Sequence, residues 1–150
     1  MITIIVLLGS FALFLILSRS GLAFRHQSKR ELAAYAMAVF LVFFGTSHFF
    51  LQEELVAMVP DFLPYPVFIV YLTGIIEIVL AAGLIIPGTR RWSGILLAIY
   101  FVAVFPANVI KAMSDIEIGG TFNSPAMSWV RLLFQPIFIV WALYCSKVDR

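Results

Sequence analysis

The chain has 150 residues, of which 63% are hydrophobic and only 12% are charged, and its formal net charge is +2. Soluble domains carry about 25% charged residues, so this composition excludes an ordinary soluble globular domain, and the small net charge provides no polybasic surface for nucleic acid. The single cysteine, Cys145, excludes an internal disulfide and a cysteine metal cluster. The composition therefore indicates an integral membrane protein, for which the lipid bilayer is the solvent.

Five apolar segments predict an all-α, polytopic transmembrane bundle that forms a single domain over residues 1–150. At the helical rise of 1.5 Å per residue, about 20 residues cross a hydrocarbon core of ~30 Å, and four segments have roughly this length. The first segment is shorter. It lacks a preceding basic region and a small-residue cleavage site before Arg19, so a retained helix is favoured over a signal peptide. The predicted helices cover residues 2–18, 32–51, 67–87, 93–111 and 127–145.

The charge of the connecting segments alternates along the chain. Segments 19–31 and 88–91 are basic, whereas segments 52–66 and 112–126 are acidic. Basic segments are retained in the cytoplasm, so the pattern predicts a multi-pass protein with its N-terminus outside and its C-terminus cytoplasmic. Three prolines between Pro60 and Pro66 predict a stiff cap on the outer ends of the bundle rather than a regular helix.

Several polar side chains stand inside the predicted helices, where lipid makes them costly and where they are functional candidates by default. The predicted topology places His48, Asn108 and Arg131 about one turn below the outer surface. It places Gln135 deeper, on the face that also carries Arg131, and Glu77 near the midplane. Together these five side chains predict a polar pocket that opens outward.

Glu77 shares a helix face with the small residues Gly74 and Ala81, which predicts that it points into the bundle. A buried carboxylate requires a partner, and Arg131 or protonated His48 is the expected one. Such a pair either forms part of a ligand site or only fixes the register of the helices. Tyr100 is predicted to pack or face lipid, with quinone stacking as the alternative. The residue spacings contain no metal-binding motif.

Six short motifs occur in the order and at the spacing of a known family. They are Gly45–Phe49, Val59–Pro66, Tyr71–Glu77, Thr89–Arg91, Phe105–Asn108, and Val130–Leu132 followed by Gln135. From about Ala33 to Leu143 the chain thereby resembles the DoxX-like family of small bacterial membrane proteins. The resemblance implies a four-helix core in the cell inner (plasma) membrane, to which this chain adds an N-terminal transmembrane helix. The family's polar positions match His48, Glu77, Asn108, Arg131 and Gln135.

The resemblance implies two classes of function. Members of the family include a quinone oxidoreductase subunit and proteins of quinone stress, which implies a quinone-linked redox or detoxification component that binds a small hydrophobic ligand. His48, Asn108 and Arg131 would then donate to the quinone carbonyl oxygens, and Glu77 would exchange protons.

A eukaryotic member is an assembly chaperone, which implies instead a non-catalytic accessory protein that recognises the transmembrane helices of a partner. The motifs leave open whether a reaction is catalysed. Quinone is the only candidate cofactor, and a membrane protein or a second copy of the chain is the candidate partner. A transporter ranks last because the sequence has no internal repeat and no polar path through its inner half.

Overall fold

The computed structural model describes residues 2–21, 23–60, 62–113 and 125–147. The regular elements among these residues are helices, and no strand occurs among them, which confirms the all-α part of the predicted fold class. Each predicted helix end lies within three residues of an observed one. The helices are α1 (Ile2–Ser20), α2 (Lys29–Phe50), α3 (Gln52–Val56), α4 (Pro66–Ile85), α5 (Arg90–Ala103), α6 (Phe105–Met113) and α7 (Pro125–Ser146).

Three helical segments of the described chain are long and apolar enough to cross a membrane. They are Lys29–Phe50, Pro66–Ile85 and Arg90–Ile110. Two shorter apolar helices, Ile4–Ser20 and Leu132–Ser146, accompany them. Their length and composition indicate a membrane protein.

The ends of two helices follow from local chemistry. Ser28 precedes α2 and forms a capping box with Glu31: the Glu31 N–H donates to Ser28 Oγ at 3.3 Å, and the Ser28 N–H donates to Glu31 Oε2 at 2.9 Å. Pro66 occupies the first position of α4, where the absent N–H has no helical acceptor to lose.

The single helix predicted for residues 93–111 is divided in the structure. α5 ends at Ala103, the Val104 N–H bonds the Tyr100 carbonyl at 3.0 Å, and α6 begins at Phe105. Pro106 has no N–H to offer the Val102 carbonyl, so the regular ladder cannot continue through this turn. The break lies in the same turns as the polar side chains described below.

α2 lies at the centre of the bundle and packs against α1, α4 and α7. Its four alanines at positions 33, 34, 36 and 38 are all buried, so the neighbouring helices approach it closely. Phe40 of α2 and Phe101 of α5 each pack against Phe138 of α7, with ring centroids 5.1 and 5.9 Å away, respectively. Leu7 of α1 joins this core.

Glycines mark two close helix crossings. A Cβ added to Gly74 of α4 would lie 2.8 Å from the His48 Cβ and 2.9 Å from the Gly45 carbonyl oxygen, both on α2. A Cβ added to Gly94 of α5 would lie 2.8 Å from the Ala142 carbonyl oxygen of α7. The face of α4 that carries Gly74 therefore points into the bundle, as its small residues predicted.

Arg90 forms a buried polar junction at the opposite end of α4. Its side chain is only 6% exposed, and it donates to the carbonyls of Leu84 and Ile85 at 3.0 and 3.4 Å. It also pairs with Glu31 Oε1 at 3.1 Å. The guanidinium thus satisfies carbonyls at the end of α4 while tying that end to α2. The sequence placed Arg90 in a basic turn and did not predict that its side chain would be buried.

Candidate functional site

The centre of the candidate site is a hydrogen bond between α4 and α5. The Tyr100 hydroxyl donates to Glu77 Oε1 across 2.7 Å, and Glu77 is only 8% exposed. Thr73, one turn before Glu77 on α4, lies beside the Tyr100 hydroxyl. A short bond to a carboxyl oxygen stabilises the acid in the buried interior of the bundle, where water offers it few hydrogen bonds.

His48 lies on the same helix interface as Glu77. The Gly45–Gly74 crossing sets the register: Gly45 faces the Glu77 Cβ, and His48 sits against Gly74, one turn farther along. The His48 ring is half-buried and bonds the Phe44 carbonyl through Nδ1 at 2.9 Å. A carbonyl only accepts, so Nδ1 is the donor, and Nε2 of the neutral ring carries the lone pair.

A second polar network joins α5, α6 and α7. Asn108 Nδ2 donates to Gln135 Oε1 at 2.8 Å, and Gln135 Nε2 donates to the Phe101 carbonyl at 2.6 Å. Gln135 is 4% exposed, so this amide is fully enclosed by protein. Because α5 ends only two residues beyond Phe101, the network ties the helix break to α7.

The two networks meet at consecutive residues. Tyr100 belongs to the first network and the Phe101 carbonyl to the second. Of the five predicted site residues, Glu77, Asn108 and Gln135 take part in these networks, and His48 lies beside the first of them. We use the name polar cluster for His48, Thr73, Glu77, Tyr100, Asn108 and Gln135. Arg131 lies in α7, one turn from Gln135, but its side chain is outside the part of the chain that the structure describes.

Tyr100 is the residue that sequence reasoning missed, since it was assigned to packing or to lipid. One signal was present. Glu77 lies eight residues before the end of α4, and Tyr100 lies ten residues after the start of α5. In antiparallel helices these offsets give depths that differ by only about 3 Å. A comparison of depths would have placed the phenol opposite the acid.

The end of the bundle near His48 is covered by the connection between α2 and α4. Met58 and Pro60 of this connection are buried, and the Tyr71 hydroxyl of α4 donates to Gln52 Oε1 of α3 at 3.1 Å. Phe49 stacks on the Tyr71 ring with centroids 5.6 Å apart. The connection is buried at Met58 and Pro60, whereas residues 62–65 of the proline-rich segment are exposed, with Phe62 81% and Tyr65 78% exposed. The predicted cap is therefore packed against the helices only in part of its described length.

A family model matches residues 37–146, which is most of the chain and includes every residue of the polar cluster. The chain belongs to this family, a domain of unknown function (DUF8561). No curated protein and no solved structure matches the chain significantly. The DUF8561 match begins inside α2, so α1 lies outside the matched region.

The polar cluster of this DUF8561 chain combines an acid, a phenol, an imidazole, an aliphatic hydroxyl and two amides. An acid hydrogen-bonded to a phenol can exchange a proton with a bound molecule, and the amides and the imidazole can orient its polar atoms. Within the described residues, no group of three His, Cys, Asp or Glu side chains is placed to hold a metal ion. The polar cluster can therefore supply hydrogen bonds and exchange protons.

Proposed function

We propose that this chain is a DoxX-like integral membrane protein whose polar cluster binds the head group of a small hydrophobic molecule, most simply a quinone. The Tyr100–Glu77 hydrogen bond of 2.7 Å, buried between helices, is the observation that carries the proposal. A quinone head group offers two carbonyl acceptors, and the phenol of Tyr100 or the amide of Asn108 would donate to one of them. Its flat ring and apolar tail suit a site among phenylalanines in a bilayer.

Proton exchange is the role that we assign to Glu77 and Tyr100 in this proposal. The Tyr100 hydroxyl donates a hydrogen bond to Glu77, and the same hydroxyl can donate instead to the carbonyl of a bound ligand. Glu77 remains buried between the helices when the donor changes its acceptor. His48 lies one turn closer to the end of the bundle and would orient the ligand through its ring. The role predicted for Arg131 stays a prediction, since its side chain lies outside the described part of the chain.

The proposed topology has five membrane crossings in the cell inner membrane. α2, α4, α5 with α6, and α7 would form the four-helix core, and α1 would be the additional N-terminal crossing. The antiparallel helices support this arrangement, since they place three basic residues at the same end of the bundle. Lys29 begins α2, Arg91 lies in the first turn of α5, and Lys147 follows the last residue of α7. The positive-inside rule then puts that end in the cytoplasm and the N-terminus outside.

The test is a titration of purified protein with a short-chain benzoquinone, with the midpoint temperature of unfolding as the readout. Binding to the folded state raises the midpoint in a saturable way. An alkylbenzene with the same chain length is the control, because it keeps the apolar tail and ring but lacks the carbonyl oxygens. A midpoint that responds equally to both compounds, or to neither, contradicts the proposal.

One observation favours a second candidate, a non-catalytic accessory protein. Asn108, Gln135 and the Phe101 carbonyl already satisfy one another across helices, as a purely structural network would. In that function the outer surface of the bundle recognises the transmembrane helices of a partner. Cross-linking in native membranes followed by purification separates the two, because an accessory protein yields a stoichiometric partner and a ligand-binding protein does not.

A further inference from the structure

An apolar groove of about 490 Å³ lies where α1, α2 and α7 meet, apart from the polar cluster. Its size falls within the range of about 300–1,000 Å³ that is typical of small-molecule sites. None of the polar-cluster residues lines it. The lining includes Phe11 of α1, Ala33 of α2, and Pro136, Val140, Trp141 and Tyr144 of α7.

The walls of the groove present carbon atoms. The Phe11 and Trp141 rings meet edge to face with centroids 5.1 Å apart. Two lining side chains carry a strong donor: the Trp141 indole N–H is bonded to the Ala33 carbonyl at 3.1 Å, and the Tyr144 hydroxyl is the other. Pro136 offers its ring carbons and has no N–H. Such a surface suits a hydrocarbon chain.

A cationic group lies at one end of the groove. The guanidinium carbon of Arg30 is 5.7 Å from the centroid of the Tyr144 ring, which belongs to the lining. The three helices that bound the groove all carry basic residues at this end: Arg19 in the last turn of α1, Lys29 beside Arg30 in α2, and Lys147 after α7.

We propose that the groove binds an anionic glycerophospholipid, with one acyl chain along α7 and the phosphate beside Arg30 and Tyr144. The apolar groove with basic residues at its end complements a hydrocarbon chain attached to an anion. From Tyr144 to Pro136 the groove extends about 12 Å along α7, whereas a partner helix would contact the bundle over a hydrocarbon core of ~30 Å. The dimensions therefore favour a lipid chain over a transmembrane helix.

The charge arm of the test measures lipid retention by native mass spectrometry of the full chain. The protein is purified in detergent with equal amounts of phosphatidylglycerol and phosphatidylcholine. We expect preferential retention of phosphatidylglycerol and a fall of about fivefold in that preference for Arg30→Gln. Arg91→Gln is the matched control, because Arg91 is exposed on α5 and does not line the groove.

The shape arm fills the groove. Val140 is 65% exposed and lines it, so Val140→Phe should reduce retention of both lipids without disturbing the core. Leu133→Phe is the control, because Leu133 is 75% exposed on the same helix but is not in the lining. Equal retention of the two lipids by the unsubstituted protein would overturn the proposal, as would Arg30→Gln and Arg91→Gln behaving alike. A dimer that Val140→Phe dissociates would assign the groove to a second copy instead.

Discussion

The Tyr100 hydroxyl and the Glu77 carboxyl form a 2.7 Å hydrogen bond that joins α5 to α4 inside the bundle. The bond places an acid and a phenol beside Thr73, on the helix interface that also carries His48. Phe101, the next residue after Tyr100, offers its carbonyl to Gln135. Residues 100 and 101 therefore connect the two halves of the polar cluster, and they lie just before the break between α5 and α6.

Removal of the phenol oxygen should weaken the contact between α4 and α5. Interhelical hydrogen bonds in membrane proteins contribute about 0.6 kcal/mol on average and up to about 1.7 kcal/mol. Tyr100→Phe should therefore lower the free energy of unfolding by about 1 kcal/mol. Equilibrium unfolding in mixed micelles measures this change, and an unchanged free energy would mean that the Glu77–Tyr100 bond contributes nothing to folding.

Substitution of Gly74 should separate α2 from α4. In Gly74→Ala the new Cβ would meet the His48 Cβ at 2.8 Å and the Gly45 carbonyl oxygen at 2.9 Å, so a helix must shift. Overpacking of this kind lowers the free energy of unfolding by about 1–3 kcal/mol. Gly9→Ala is the control, since no heavy atom lies within 4 Å of its Cβ position. Equal effects of the two substitutions on the unfolding transition would argue against the close crossing.

Substitutions of the neighbouring residues Arg90 and Arg91 should differ sharply in their effect on the free energy of unfolding. Arg90→Ala removes donors to two carbonyls at the end of α4 and breaks the ion pair with Glu31, so we expect a loss of about 2–3 kcal/mol in the free energy of unfolding. Arg91 is exposed, and Arg91→Ala should change this free energy by less than about 0.5 kcal/mol. Thermal unfolding of both variants tests the difference; similar melting temperatures would contradict it.

The proposed topology predicts which connections face the outside. The natural Cys145 is buried, so an introduced cysteine can be labelled selectively with a membrane-impermeant maleimide. Glu53→Cys should react in intact cells, because α3 lies on the proposed outer side. Arg91→Cys should react only after the membrane is permeabilised. The reverse result would invert the topology while leaving the helical bundle intact.

The sequence predicted the parts of the fold that depend on local patterns. Apolar segment length located the helices, and the spacing of Gly74 and Ala81 identified the buried face of Glu77. The break at Val104 was missed because Pro106 removes one N–H but does not by itself determine whether the helix bends or divides. In this chain the side chain of Gln135, more than 30 residues away in the sequence, donates to the Phe101 carbonyl next to the break.

Two roles depended on tertiary contacts that no local pattern encodes. Tyr100 has apolar neighbours on both sides in the sequence, and only the packing of α5 on α4 turns its hydroxyl toward Glu77. Arg90 and Arg91 are the same residue type at the same helix end, yet the former is buried and the latter exposed. The carbonyls at the end of α4 determine which arginine is enclosed, and their position follows from the fold.

The central claim is that the Glu77–Tyr100 pair forms part of a ligand site. The most direct measurement is the dissociation constant of a short-chain benzoquinone for the unsubstituted protein, Tyr100→Phe and Tyr35→Phe, obtained from the ligand-dependent unfolding midpoint. Tyr35 lies toward the other end of α2, where its ring contacts Arg90, and its substitution keeps that ring. We predict that Tyr100→Phe weakens binding about fivefold to tenfold, as expected for one lost hydrogen bond of about 1 kcal/mol, while Tyr35→Phe does not. Identical dissociation constants for all three proteins would contradict the account.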